Sequence, residues 1–163
     1  MKLIDRIANI ALIIGVAVFL FIVIRGDFVK QKRPNGSPKT LIGTSVSLPG
    51  IPLSETHNSL LVVISTKCHF CKDSLPFYKE LITKTHGKID VVAISPDPVT
   101  EMQTFLQEAD VSAAKIASID LAAIGITGTP TLLLVNGSGR VLEQWQGMLD
   151  ERGRQKVLAR ILQ

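Results

Sequence analysis

Directly after the unbroken apolar run Leu60-Leu61-Val62-Val63-Ile64, the chain carries both of its cysteines in one cluster, Cys68-His69-Phe70-Cys71. A run this short, with no polar face, reads with Ser65 as a strand over Leu60–Ser65, buried on both sides. The cluster stands where that strand gives way to a helix. In a helix that begins near Cys68, Cys71 lies one turn further along, within reach of a disulfide. The first thiol then points from the helix N-terminus, where unpaired backbone N–H groups and the dipole favour the thiolate. The thiolate is the nucleophile in disulfide exchange, so the spacing predicts a dithiol/disulfide switch.

The residues around this cluster alternate strand and helix. Cys68 to Thr85 predicts a helix with Leu75, Tyr78 and Ile82 on one side, and Ile89–Ser95 a second buried strand. Val99–Ala109 predicts a helix carrying Met102, Phe105 and Leu106, Lys115–Ile119 a short edge strand, and Leu121–Ile124 a single helical turn. Thr131–Val135 and Arg140–Gln146 flank Asn136-Gly137-Ser138-Gly139, a hairpin signal. Asp150 is placed to cap a last amphipathic helix with Val157, Leu158, Ile161 and Leu162 inward. Leu41–Leu53, with Pro49-Gly50, reads as an edge hairpin that opens the domain. The sum is an α/β domain over residues 41–163, a mixed sheet covered on both faces.

The first residues are of another kind. Ile7 to Ile24 is an 18-residue run whose only polar side chain is Asn9. As a helix it covers about 27 Å, enough for a bilayer core. A buried core helix, a cleaved signal peptide and an uncleaved anchor compete for this run. It has no polar face to turn to water, and Arg25-Gly26-Asp27-Phe28-Val29-Lys30 lacks a small-x-small cleavage pattern. The expectation is therefore a flank at 1–6, a transmembrane helix at 7–24 in contact with the lipid bilayer, and a proline-broken linker at 25–40. Lys2 and Arg6 precede the span, while Arg25, Lys30, Lys32 and Arg33 follow it, which by the positive-inside rule argues for a cytoplasmic domain. An N-terminal anchor on a small domain and a thiol pair suited to an oxidising compartment argue for the extracytoplasmic, periplasmic side, and that orientation is the one expected. The net charge of +4 owes much to this juxtamembrane group, which suits anionic head groups. No aromatic-rich basic stripe suggests a nucleic-acid partner.

From about Leu41 to Gln163 the chain resembles the thioredoxin superfamily, in particular its membrane-anchored redoxins of the TlpA/ResA type. The likeness rests on the strand entering Cys-x-x-Cys and on Pro76, five residues past Cys71. It rests also on Ile126-Thr127-Gly128-Thr129-Pro130-Thr131, on Gly147 after the hairpin, and on an added helix at Val99–Ala109. The resemblance implies a thioredoxin-like mixed sheet flanked by helices, preceded here by one transmembrane helix. It implies a membrane-anchored thiol–disulfide oxidoreductase that needs no cofactor or metal. Cys68 would attack a substrate disulfide and Cys71 would resolve the mixed disulfide. Lys67, His69 and Phe70 would tune the pair, and a cis Thr129–Pro130 bond would present the Thr129 backbone to client proteins. The alternative for Pro130 is an ordinary trans proline at a strand start.

Two departures stand out. Lys67 replaces the tryptophan before the first cysteine, and Val62 occupies the position of the buried aspartate. Asp73 and Asp97 are the acidic candidates in its place, each with the alternative of a solvated helix-start or turn residue. Phe70 reads equally as a cover over the thiols or as a core residue. Trp145 reads as a strand aromatic, and His57 and His86 as solvated loop residues.

Several functions stay open. A reductant for extracytoplasmic client disulfides, fed by a membrane electron-donor or -acceptor protein, is typical of relatives that act in cytochrome c maturation. A disulfide donor to a single client, of the MauD kind, reverses the flow. A copper-binding assembly factor would use Cys68, Cys71 and a histidine, and a static disulfide or half of a metal site would make no use of exchange. A peroxiredoxin would want proline and threonine where Leu61 and Ser65 stand.

Overall fold

The computed structural model describes residues 12, 14–16, 18, 40–85, 87–113 and 115–162. The chain divides into two units, Met1–Ser37 and Pro38–Gln163. The expected anchor at 7–24 falls largely outside the described residues, as do the juxtamembrane cations and His86. Of that run, Leu12, Ile14, Gly15, Val16 and Val18 are helical and exposed. No helix among the described residues is long and apolar enough to cross a membrane.

The second unit runs β1 (Ser59–Val63), α1 (His69–Thr85), β2 (Asp90–Ser95), α2 (Val99–Glu108), β3 (Lys115–Ser118), β4 (Thr131–Val135), β5 (Val141–Gln146) and α3 (Glu151–Ile161). These bounds lie within about two residues of those expected. The five strands form one sheet in the order β3-β2-β1-β4-β5. Central β1 pairs in parallel with β2, Leu60 beside Val91, and antiparallel with β4, Leu61 beside Leu133. All five residues of β1 are buried, as an unbroken apolar run in a two-sided sheet must be.

Pleating splits these strands between two cores. Leu60, Val62 and Ile64 face a cluster that takes in Leu75, Leu81, Met102, Leu106 and Val157, so α1, α2 and α3 all pack on this one face. The connections β1-α1-β2 and β2-α2-β3 step the same way across the sheet. Right-handed crossovers therefore place both helices on the same side. Leu61, Val63, Leu133 and Val135 face the other way, onto Leu41, Val46, Leu48 and Ile126, with Ile51, Leu53, Ile119, Leu121 and Ile124 around them. Among the described residues, coil and turn rather than helix cover this second face.

That packing corrects the expected hairpin at Leu41–Leu53. The segment forms no strand pair of its own. Its one bridge, Ser45 to Arg140, lies against the start of β5, flanked by Gly43 N–H to Val141 O (2.8 Å) and Val46 N–H to Gly139 O (2.9 Å). Its apolar side chains are needed on the sheet, and Gly50, at φ 76°, turns the chain so that they reach it. Leu121–Ile124 likewise forms hydrogen-bonded turns rather than a helix, Ala123 N–H donating to Asp120 O.

The β4–β5 hairpin forms as expected. Asn136 Oδ1 accepts from the N–H groups of Ser138 and Arg140, and Gly139 takes φ 76°. Asp150 caps α3, its side chain accepting from Gly153 N–H at 2.7 Å. Val157 is fully buried and Leu158 and Ile161 pack at the core's margin, but Leu162 is the C-cap residue and is exposed rather than inward. One residue past Ile161 the helix has ended, beyond the sheet.

Candidate redox site

Cys68 ends the loop that leaves β1, and α1 starts at the next residue. Cys68 and Cys71 are disulfide-bonded, with Cα atoms 5.2 Å apart. The first-turn geometry is that of a helix start: Cys71 N–H and Lys72 N–H both donate to Cys68 O, at 3.1 and 3.2 Å. Cys71 N–H also points at Cys68 Sγ, 3.2 Å away. A sulfur receiving a helix N-terminal N–H is stabilised as an anion once the disulfide opens. Burial separates the two sulfurs, since Cys68 is half-exposed and Cys71 is fully covered.

The loop that enters β4 closes against Cys68, and the end of β5 braces it. The Thr129–Pro130 peptide is cis, and Thr129 O lies 3.5 Å from Cys68 Sγ. Gly147, at φ 82°, donates its N–H to Pro130 O at 2.7 Å, which ties the end of β5 to this loop. Thr131 Oγ1 donates to Gly128 O and fixes the loop's other side. Pro76 lies inside α1, and Trp145 packs partly against the helix-side core.

The neighbours of the cysteines point outward. Lys67 is exposed. His69 is exposed and its Nε2 lies 3.2 Å from the Asp73 carboxylate, one turn on. Phe70 is 54 % exposed and stands beside the His69 ring, so it is a surface residue at the tip rather than part of the core. Met148, just past Gly147, is also exposed.

Of the two acidic candidates, Asp73 is exposed and Asp97 is buried, at 6 % exposure. Asp97 is the one charged residue among the buried described residues. Its Oδ2 accepts from Thr66 N–H at 2.7 Å, from Ser65 Oγ at 2.8 Å and from Ser95 Oγ at 3.2 Å. Burial alone would push this carboxyl up, but the hydrogen bonds from Ser65, Thr66 and Ser95 outweigh it and hold the group below its ordinary range. Val62, at the position expected of a buried acid, faces the helix-side core with no carboxylate in its place. Sequence reasoning missed Ser65, Thr66 and Ser95. A signal for them was present in Ser95-Pro96-Asp97-Pro98, where two prolines hold an acid at the end of a buried strand.

His57 is an exposed loop residue, as expected, and it has two partners: its Nε2 lies 3.4 Å from Asp90, and its Nδ1 is 2.9 Å from Ser54 Oγ. With Ile82, Thr85, Asp90 and Ser112 it lines a cavity of about 360 Å³ at the other end of β1 and β2 from the cysteines. Among the described residues no three His, Cys, Asp or Glu side chains gather as a metal site.

No family model and no curated protein matches the sequence. Solved structures do match. DsbF of Mycobacterium tuberculosis, determined in mixed oxidized and reduced forms, is 21 % identical, with 65 % of this chain and 79 % of that one covered and a TM-score of 0.54. StoA from Bacillus subtilis is 15 % identical over 65 % of this chain and 83 % of its own, at 0.53. A thiol:disulfide interchange protein of the thioredoxin family from Chlorobium tepidum is 16 % identical, covering 67 % and 82 %, at 0.53. The domain thus has the thioredoxin-like fold of these structures, with a disulfide-bonded Cys-x-x-Cys at the start of its first helix.

Proposed function

We infer that the protein is a thiol–disulfide oxidoreductase that exchanges its Cys68–Cys71 couple with client proteins. The observation that carries this reading is the unequal exposure of two bonded sulfurs at a helix start. Cys68 is reachable and Cys71 is held beneath it. In the reducing direction the Cys68 thiolate attacks a client disulfide, one client sulfur leaves as a thiolate and takes a proton, and a mixed disulfide forms. Cys71 then gives up its proton and attacks Cys68. The second client sulfur leaves, and the Cys68–Cys71 bond re-forms. Two electrons pass from the dithiol to the client. The Thr129 carbonyl beside Cys68 offers an acceptor to an extended client backbone, and exposed Phe70 and Met148 supply apolar contact at the same tip.

The finer reading is a single-pass membrane protein anchored through residues 7–24, its redox domain on the extracytoplasmic side and its electrons drawn from a membrane partner. The apolar run supports anchoring. Reduction of client disulfides of the cytochrome c maturation kind is the favoured direction. A disulfide donor to one client is the alternative, and the reduction potential separates them: near −270 mV marks a reductant, near −120 mV an oxidant. The test is capture in cells with Cys71→Ala, in which Cys68 keeps its partner covalently attached. Recovery of a mixed disulfide through Cys68 supports the reading; Cys68 that stays free in every fraction overturns it.

A further inference from the structure

We propose that Asp97 is a positioning and potential-setting residue for Cys68, acting through the loop Ser65-Thr66-Lys67. The inference rests on the oxidoreductase reading and assigns it a residue outside the Cys-x-x-Cys helix. Its basis is a continuous set of hydrogen bonds. Asp97 Oδ2 holds Ser65 Oγ and Thr66 N–H. Ser65 Oγ in turn accepts from Lys67 N–H at 3.2 Å, and Ser65 O accepts from Cys68 N–H at 3.2 Å. Ser65, Thr66, Lys67 and Cys68 are therefore all tied, directly or through Ser65, to one carboxylate just past the end of β2. Ser95 steadies that carboxylate from its own strand: its Oγ donates to Oδ2 and accepts from Asp97 N–H at 3.0 Å.

A buried carboxylate is costly unless its charge is used or its bonds are complete. Here Oδ2 carries the bonds to protein. Three donors satisfy it, and the bonds they make favour its ionised form. Asp97 therefore keeps its negative charge two residues' reach from the redox sulfur. A fixed anion near Cys68 disfavours the thiolate and leaves the neutral disulfide untouched. It biases the couple toward the oxidised form, which makes the dithiol the stronger reductant. Lys67 and, when protonated, His69 flank the sulfur in sequence and act in the opposite sense.

The experiment is equilibration of the full chain in glutathione redox buffers, with thermal unfolding run alongside. Asp97→Asn keeps an oxygen acceptor for Ser65 and Thr66 but removes the charge. Its expected effect is a tenfold shift of the equilibrium toward the dithiol, which is about 30 mV more oxidising. Ser65→Ala keeps the charge and removes both hydrogen bonds of Ser65 Oγ, to Asp97 and from Lys67 N–H, and its expected shift is less than threefold or opposite in sign. An Asp97→Asn equilibrium that matches wild type overturns the role of Asp97, as do equal shifts of the same sign in both variants. Should Asp97→Asn fail to fold, Ser65→Ala decides alone: a tenfold shift toward the dithiol overturns the charge account. A wild-type chain that never equilibrates with glutathione overturns the oxidoreductase reading itself, and this inference with it.

Discussion

Cys68 Sγ and the carbonyl oxygen of Thr129 lie 3.5 Å apart across 61 residues of chain. One stands at the start of a helix, the other on the loop that enters β4, and their meeting depends on β1 and β4 being direct neighbours in the sheet. The redox centre is thus assembled by strand pairing, and the sulfur chemistry inherits the stability of the sheet.

The two cysteines are expected to fail differently. Cys68→Ser removes the reachable nucleophile and abolishes turnover in a disulfide reduction assay. Cys71→Ser leaves Cys68 open to alkylation by a small thiol reagent but blocks release of the mixed disulfide. Mass spectrometry of the adducts checks both. Equal alkylation of the two positions in the reduced wild type would contradict the burial difference.

Tyr78 is the chain's single tyrosine, so its ionisation is read without overlap from another phenol. Burial pushes its pKa up to about 12, against smaller lowering by the Ser74 hydrogen bond and Arg154. The raised value stabilises the fold fully below the unfolded value of about 10. That contribution is lost as pH rises from there through the folded value. Phenolate absorbance in the folded chain should rise with a midpoint about two units above that in strong denaturant. Coincident midpoints would show that Tyr78 is not held inside.

Glycines at similar φ should differ in what they tolerate. Gly139 and Gly50 both sit at φ 76°, where a side chain costs roughly 1–2 kcal/mol. A Cβ on Gly50 meets nothing, whereas one on Gly139 comes within 2.5 Å of Val46 O. Gly139→Ala should therefore lose more than Gly50→Ala in urea unfolding, because the Val46–Gly139 contact must open as well. Equal losses would mean that the 41–53 segment is not pressed against the hairpin.

Leu133 is fully buried on the second face of the sheet and Leu162 is exposed at the end of α3. Leu133→Ala is expected to cost about 2–5 kcal/mol. Leu162→Ala should stay within about 0.5 kcal/mol, as surface changes do. Chemical denaturation of both variants makes the comparison. A large loss at Leu162 would restore it to the inward face of α3.

Much of this architecture was legible in the residues because local signals and tertiary demands agreed. Leu60–Ile64 is apolar without interruption and is buried on both sides; Asn136-Gly137-Ser138-Gly139 carries its own turn chemistry; Asp150 caps the helix it precedes. The misreadings lie where tertiary packing decides. Leu41–Leu53 has the alternation of a strand, yet its side chains are used one by one to cover the sheet. Periodicity does not distinguish pairing from covering. Leu162 keeps the helical spacing of Val157 and Leu158, and nothing local says where the sheet ends. The cysteines announced themselves by spacing, whereas Asp97 became part of the site only through the adjacency of β1 and β2, which brings Ser65 and Ser95 to one carboxylate.

Because coil rather than helix closes the second face, Leu41 serves two masters. It is a core residue, at 5 % exposure, and it is where the polypeptide arriving from residues 1–40 enters the domain. Its N–H donates to the Gln144 side chain at 2.7 Å, on the strand whose next residue, Gly147, bonds the Pro130 loop. Loosening Leu41 therefore disturbs β5 itself, and through it the Gly147–Pro130 hydrogen bond that braces the loop beside Cys68.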